Sequence, residues 1–154
     1  MVKPDDTESM VLLGRIYQKQ GNIDAALSQF DKVLQYDPSN TSARKALGNL
    51  YLETNQPDAA LRQFQAVIDY HGDELSAWFG MAQAYHALED TNKEIDAYER
   101  VLAISPDMVA ALQNVGNAYL KQDMNDAAIV AYQKAVQIEP ENSDLHYNLA
   151  VVLA

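Results

Sequence analysis

The chain has 154 residues, 48% apolar and 21% charged, and its 22 acidic residues outnumber 11 basic ones for a net charge of −11. That length fits one domain, and the apolar share supports a packed core, which excludes wholesale disorder. The acidic balance excludes a general nucleic-acid binder, which needs a basic face for phosphates. The absence of cysteine excludes disulfides, thiolate metal sites and thiol nucleophiles.

Taken in chain order, the start Met1-Val2-Lys3-Pro4-Asp5-Asp6 has no apolar run behind its lysine. No secretory signal is visible there, and a cytoplasmic location is expected. Nowhere is there an apolar run of about 18 residues, so no membrane span is expected. Helical periodicity begins with Met10, Leu13 and Tyr17. Gly21-Asn22 interrupts it, and a second segment carrying Ala26 and Phe30 runs to Asp37-Pro38-Ser39-Asn40. Proline ends that segment, and Asn40 or Ser39 offers the next N-cap. Two further helices are predicted at about 41–54 and 57–70, with Pro57 suited to a first helical turn where its missing N–H is no loss. A third pair carries Trp78, Met81, Tyr85 and Tyr98 and turns at Thr91-Asn92; a fourth carries Val115, Tyr119, Ala128 and Tyr132 and turns at Asn125-Asp126. A last helix is expected over 143–154.

These segments repeat every 34 residues. Tyr17, Tyr51, Tyr85 and Tyr119 form one column; Gly14, Gly48, Ala82 and Gly116 a second; Phe30, Phe64, Tyr98 and Tyr132 a third; Pro38, Gly72, Pro106 and Pro140 a fourth. The pattern Leu13-Gly14-Arg15-Ile16-Tyr17, Ala26, Phe30, Pro38 and its copies resembles the tetratricopeptide repeat family. The resemblance implies an all-α, right-handed α-solenoid of antiparallel helix pairs, with repeats at 7–40, 41–74, 75–108 and 109–142 and a terminal helix at 143–154.

Packing explains the columns. No copy can bury its apolar faces alone, so stacking supplies the stability. Small residues such as Gly48 let the second helix approach, with Ala26, Ala60 and Ala128 as its expected partners, and the aromatic columns are expected in the core. Glu94 breaks the alanine column, and its helix is expected to rotate so that the carboxylate reaches water. Gly72 in the proline column suggests a looser joint or a glycine C-cap. The apolar end Tyr147–Ala154 lacks a polar capping helix. A continuation of the chain, or self-association through that helix, is therefore expected.

In this family the first helices line a concave groove that takes extended or helical peptides. Register places Arg15, Lys45, Asn49, Phe79, Gln83, His86, Gln113, Asn114, Asn117, Tyr147 and Asn148 there, with Val11 among their neighbours and Gly80 as a shallow spot for an incoming side chain. Arg15, Lys19, Lys45 and Lys121 face Glu8, Glu53 and Asp144 in this groove, so it is near neutral while the rest of the chain is acidic. Side-chain amides donate and accept, which suits a peptide backbone. Lys45 and Asn49 match part of the carboxylate clamp of chaperone-binding members, but Gly80, Ala110 and Asn114 stand where its other residues belong. The chain carries none of the phosphate-loop, zinc-protease, dinucleotide or nucleophile-elbow motifs, and His71, His86 and His146 sit on separate copies. No catalysis, cofactor or metal is expected. The expected role is a protein-interaction scaffold holding a peptide or partner protein. The alternatives are a self-assembling scaffold module, a homo-oligomer through the terminal helix, or the substrate-selecting arm of a larger enzyme such as a glycosyltransferase.

Overall fold

The computed structural model describes residues 6–154, and the start read above at Met1–Asp5 lies outside them. Among the described residues there are nine α-helices and no strand: α1 (Thr7–Lys19), α2 (Ile23–Tyr36), α3 (Thr41–Glu53), α4 (Pro57–Tyr70), α5 (Leu75–Ala87), α6 (Thr91–Ile104), α7 (Val109–Lys121), α8 (Asn125–Ile138) and α9 (Ser143–Leu153). α1, α3 and α7 each pack against the next helix across a short turn, in an all-α helical-repeat architecture. The chain forms two compact units that meet in sequence between Gly80 and Met81, within α5.

The turn inside each pair explains the tyrosine column. Gly21, Asn55, Glu89 and Asp123 occupy the same place in successive repeats, and all have positive φ (74°, 56°, 59° and 56°). The amide of the following residue reaches back to the tyrosine carbonyl: Asn22 to Tyr17 at 2.9 Å, Gln56 to Tyr51 at 2.7 Å, Asp90 to Tyr85 at 3.0 Å and Met124 to Tyr119 at 2.9 Å. This closure satisfies carbonyls that the helix end would leave bare. Glycine and asparagine tolerate the left-handed conformation; a glutamate there is strained.

Helix starts follow the cap chemistry. The side chains of Asn22, Asn40, Asp90 and Asn142 accept backbone N–H groups in the first turns of α2, α3, α6 and α9. Pro57 opens α4. His71 ends α4 with φ −138° and Gly72 does not take a left-handed conformation, so the expected glycine cap is absent. The Gly72 carbonyl instead accepts the Trp78 indole N–H at 2.7 Å.

In the N-terminal unit, Phe30, Val33, Ala43, Leu47 and Leu50 form a continuous core with Ala26 and Ala46. Val11, expected on the ligand face, is buried in this core. The small first-helix residues pack against rings. A Cβ added at Gly48 would lie 2.6 Å from the Phe64 ring, and one at Gly80 would also collide with it. Gly80 is therefore no open spot: Phe64 already fills it. In the C-terminal unit Tyr132 takes the same place over Gly116, while Leu112, Ala135 and Leu145 build the core beside it. The second-helix rings are fully or almost fully buried, but Tyr17, Tyr51, Tyr85 and Tyr119 are only half-buried at the helix ends.

Candidate functional site

The expected ligand-face residues divide by unit. In the N-terminal unit, Arg15 is exposed on α1 and lines a cleft of about 430 Å³ with Thr7, Glu8, Leu12 and Ser42. Lys45 on α3 is engaged: its Nζ lies 2.7 Å from Glu74 Oε1. The Lys45 hydrogen bond, followed by that of Ser76, holds the Glu74 carboxyl below its ordinary range. Asn49 is exposed on α3, and Phe79 is half-buried on α5.

In the C-terminal unit the helices bring four expected residues together. Gln83 and His86 from α5 meet Asn114 and Asn117 from α7 around a cleft of about 240 Å³. Glu94 and Tyr98 of α6 complete the lining. Gln113 is half-buried on α7, while Tyr147 and Asn148 lie on α9; none of the three lines this cleft.

Two tyrosines are bonded to the cleft's asparagines, Tyr98 from within its lining and Tyr132 from outside it. Asn114 Nδ2 donates to the Tyr98 hydroxyl at 3.1 Å, and the Tyr132 hydroxyl donates to Asn117 Oδ1 at 2.6 Å. Burial pushes the Tyr98 phenol up to about 12; its Asn114 hydrogen bond opposes this and the Glu94 charge adds to it. Burial also raises Tyr132. Tyr119, nearby in sequence, is raised by burial and by its hydrogen bond to Glu99 at 2.8 Å.

Glu94 does not reach water. It is 2% exposed, and His86 Nδ1 lies 2.9 Å from its Oε1. The helix has not rotated away; an exposed histidine from the preceding helix has come to meet the carboxylate. Sequence reasoning placed His86 on the ligand face but missed this partner. A separate signal concerned the phenols: where the second-helix ring is Phe30 or Phe64, the residue 16 positions on is Ala46 or Gly80, and where it is Tyr98 or Tyr132 that residue is Asn114 or Asn148. The structure pairs Tyr98 with Asn114 in this way, whereas the Tyr132 hydroxyl turns to Asn117 instead. Among the described residues no group of histidine and acidic side chains is arranged to hold a metal ion.

Tetratricopeptide repeat sequence models match residues 17–84, 75–108 and 109–142, the last two coinciding with the third and fourth repeats read from the sequence. The chain belongs to the tetratricopeptide repeat family, whose members are protein-interaction scaffolds and generally non-catalytic. A search of curated proteins returned no match. Among solved structures, one crystal structure of MamA is 23% identical with a TM-score of 0.89, covering 95% of this chain and 80% of that one. A second MamA, from Desulfovibrio magneticus RS-1, is 24% identical with a TM-score of 0.81, covering 90% and 78%. YrrB, described as a TPR protein with an unusual peptide-binding site, is 18% identical with a TM-score of 0.84, covering 96% and 76%. At these identities the likeness establishes the helical-repeat solenoid fold alone.

Proposed function

We propose that this chain is a docking module that binds a peptide segment of a partner protein on the exposed faces of its first helices. The observation that carries this reading is the cleft of the C-terminal unit, where Gln83, Asn114 and Asn117 present amide groups on helices already fixed by the core. A site ordered before binding leaves most of the entropy cost to the ligand. That YrrB is described as peptide-binding on the same fold supports the reading.

Selection of a random peptide library against the intact chain, followed by calorimetry on the enriched peptide, tests it. Gln83 is exposed, so Gln83→Ala should weaken binding by about tenfold, or 1.4 kcal/mol, and leave the melting temperature unchanged. Asn117→Ala is a poorer probe, because it strands the buried Tyr132 hydroxyl. Failure to enrich any peptide, or affinity indifferent to Gln83→Ala, overturns the reading.

A second reading is association of copies through α9, favoured by Tyr147 and Val151 standing 70% and 54% exposed. Light scattering over a wide concentration range separates the two, since only self-association makes the mass depend on dilution.

A further inference from the structure

In the alanine column, Ala26, Ala60 and Ala128 are completely buried, and the third repeat puts the carboxylate of Glu94 in the same place. A buried charge keeps a penalty of several kcal/mol unless its oxygens are met by donors. Oε1 has His86. Oε2 is buried and has no hydrogen-bond partner among the described residues.

The neighbours do not supply the missing donor. Asn114 turns an amide N–H to Tyr98, and its Oδ1, an acceptor, offers Oε2 no proton. Lys121 Nζ lies 3.4 Å from His86 Nδ1, outside the cleft's lining. A single ring nitrogen cannot both donate to Glu94 at 2.9 Å and accept from Lys121 at 3.4 Å. The shorter contact, to a buried anion, takes the proton. One water needs about 10–15 Å³, so the 240 Å³ cleft holds far more than a single bridging water.

What remains is a roomy cleft lined by a buried carboxylate, the amides of Gln83, Asn114 and Asn117, the Tyr98 phenol and His86, with no lysine or arginine among them. His86 lines the cleft beside Glu94, and its side chain is 58% exposed against 3% for the carboxylate. A chain of net charge −11 also draws basic segments toward it. We infer that this cleft receives a basic side chain, a lysine ammonium or arginine guanidinium, from the docked peptide, with Glu94 Oε2 as its counter-charge and Asn114 Oδ1 as a second acceptor. The inference rests on the peptide-binding reading above and gives that site its specificity. It also gives a reason for the break in the alanine column: the third repeat holds an acid in its core that a ligand neutralises.

The test uses the intact chain and two small cations, n-butylammonium and methylguanidinium, with n-butanol as the neutral control. Binding is followed by the side-chain amide NMR signals of Gln83 and Asn114. At least one cation should shift both signals saturably, and n-butanol should not. Glu94→Gln should weaken that binding about tenfold or more. Glu94→Ala, which restores the residue of the other repeats, is the second variant if Glu94→Gln folds poorly, and it should do the same. In the enriched peptide, replacing one basic residue by norleucine should cost affinity in the wild type and cost nothing in Glu94→Gln, the coupling a shared contact requires. A peptide that binds with no coupling to Glu94, and cations that shift nothing, overturn the basic pocket and leave peptide docking standing. Cations that bind through Glu94 when no peptide does support the pocket and overturn peptide docking. Cation binding that emerges only in Lys121→Gln would make Lys121 the resident counter-charge and overturn the proposal.

Discussion

The two units solve the same packing problem in different chemistries. In the N-terminal unit the second-helix rings are phenyls, Phe30 and Phe64, and the latter sits over Gly48 and Gly80 with no polar atom to satisfy. In the C-terminal unit the rings are phenols, Tyr98 and Tyr132, and each hydroxyl finds an asparagine on a first helix. One of the tight turns differs too. Gly21, Asn55 and Asp123 are residues that accept positive φ, whereas Glu89 is not. Glu94 is the largest departure, an acid in an alanine column. The fold tolerates all of these, so none is needed for it. Departures from local rules that gather in one place point to function, and two of these, Tyr98 and Glu94, line the cleft of the C-terminal unit.

The comparison breaks first if ring packing is not the shared foundation. Gly48→Leu drives a side chain into Phe64, and Gly116→Leu does the same to Tyr132, where an added Cβ would lie 2.8 Å from the ring. Both should cost on the order of 1–3 kcal/mol by denaturant unfolding, phenyl or phenol alike. A neutral result in one unit alone would show that its helices are not held by this contact.

A smaller effect of opposite sign sharpens the contrast between the turns. Glu89 holds φ at 59°. Relieving a left-handed non-glycine residue recovers roughly 1–2 kcal/mol, less the chain entropy that glycine adds to the unfolded state. Glu89→Gly should therefore raise stability by about 1 kcal/mol, measured by urea unfolding, while Gly21→Glu should lower it by a similar amount. If Glu89→Gly destabilises, the side chain of Glu89 has a role that outweighs its strain.

Most of the fold was legible because it depends on period and end signals. The helices expected at 41–54 and 57–70 are Thr41–Glu53 and Pro57–Tyr70, and Asn40 is the cap. The site was legible in part. Gln83, His86, Asn114 and Asn117 were all placed on the ligand face, and they share one cleft. Glu94 was misjudged because a helical register states which face a residue occupies, not what will meet it there. The approach of His86 across the turn of α5 and α6 is a three-dimensional fact that spacing does not encode. Gly80 was misjudged for a related reason: an absent side chain looks like space until the ring that fills it is known.

The finest test of the phenyl–phenol contrast is alkaline titration. The unfolded chain releases a tyrosine proton near 10.0, whereas folded Tyr98 holds its proton to about 12. Because the folded value is raised, this residue's contribution is complete below pH 10 and is lost as pH rises through the folded value. Tyr119 and Tyr132 are raised in the same direction. The melting temperature should therefore fall above pH 10, and Tyr98→Phe, which converts this position to the N-terminal unit's chemistry, should make that fall shallower. In an absorbance titration of the folded chain the same variant should remove one phenol from the late-ionising group. The variant also strands the amide of Asn114, which can still turn to water in its half-buried setting, so its cost at neutral pH should stay near 1 kcal/mol. A late-ionising group of unchanged size in Tyr98→Phe would mean that the phenol is not sealed by the core, and that the polar chemistry of the C-terminal unit stops short of its packed interior.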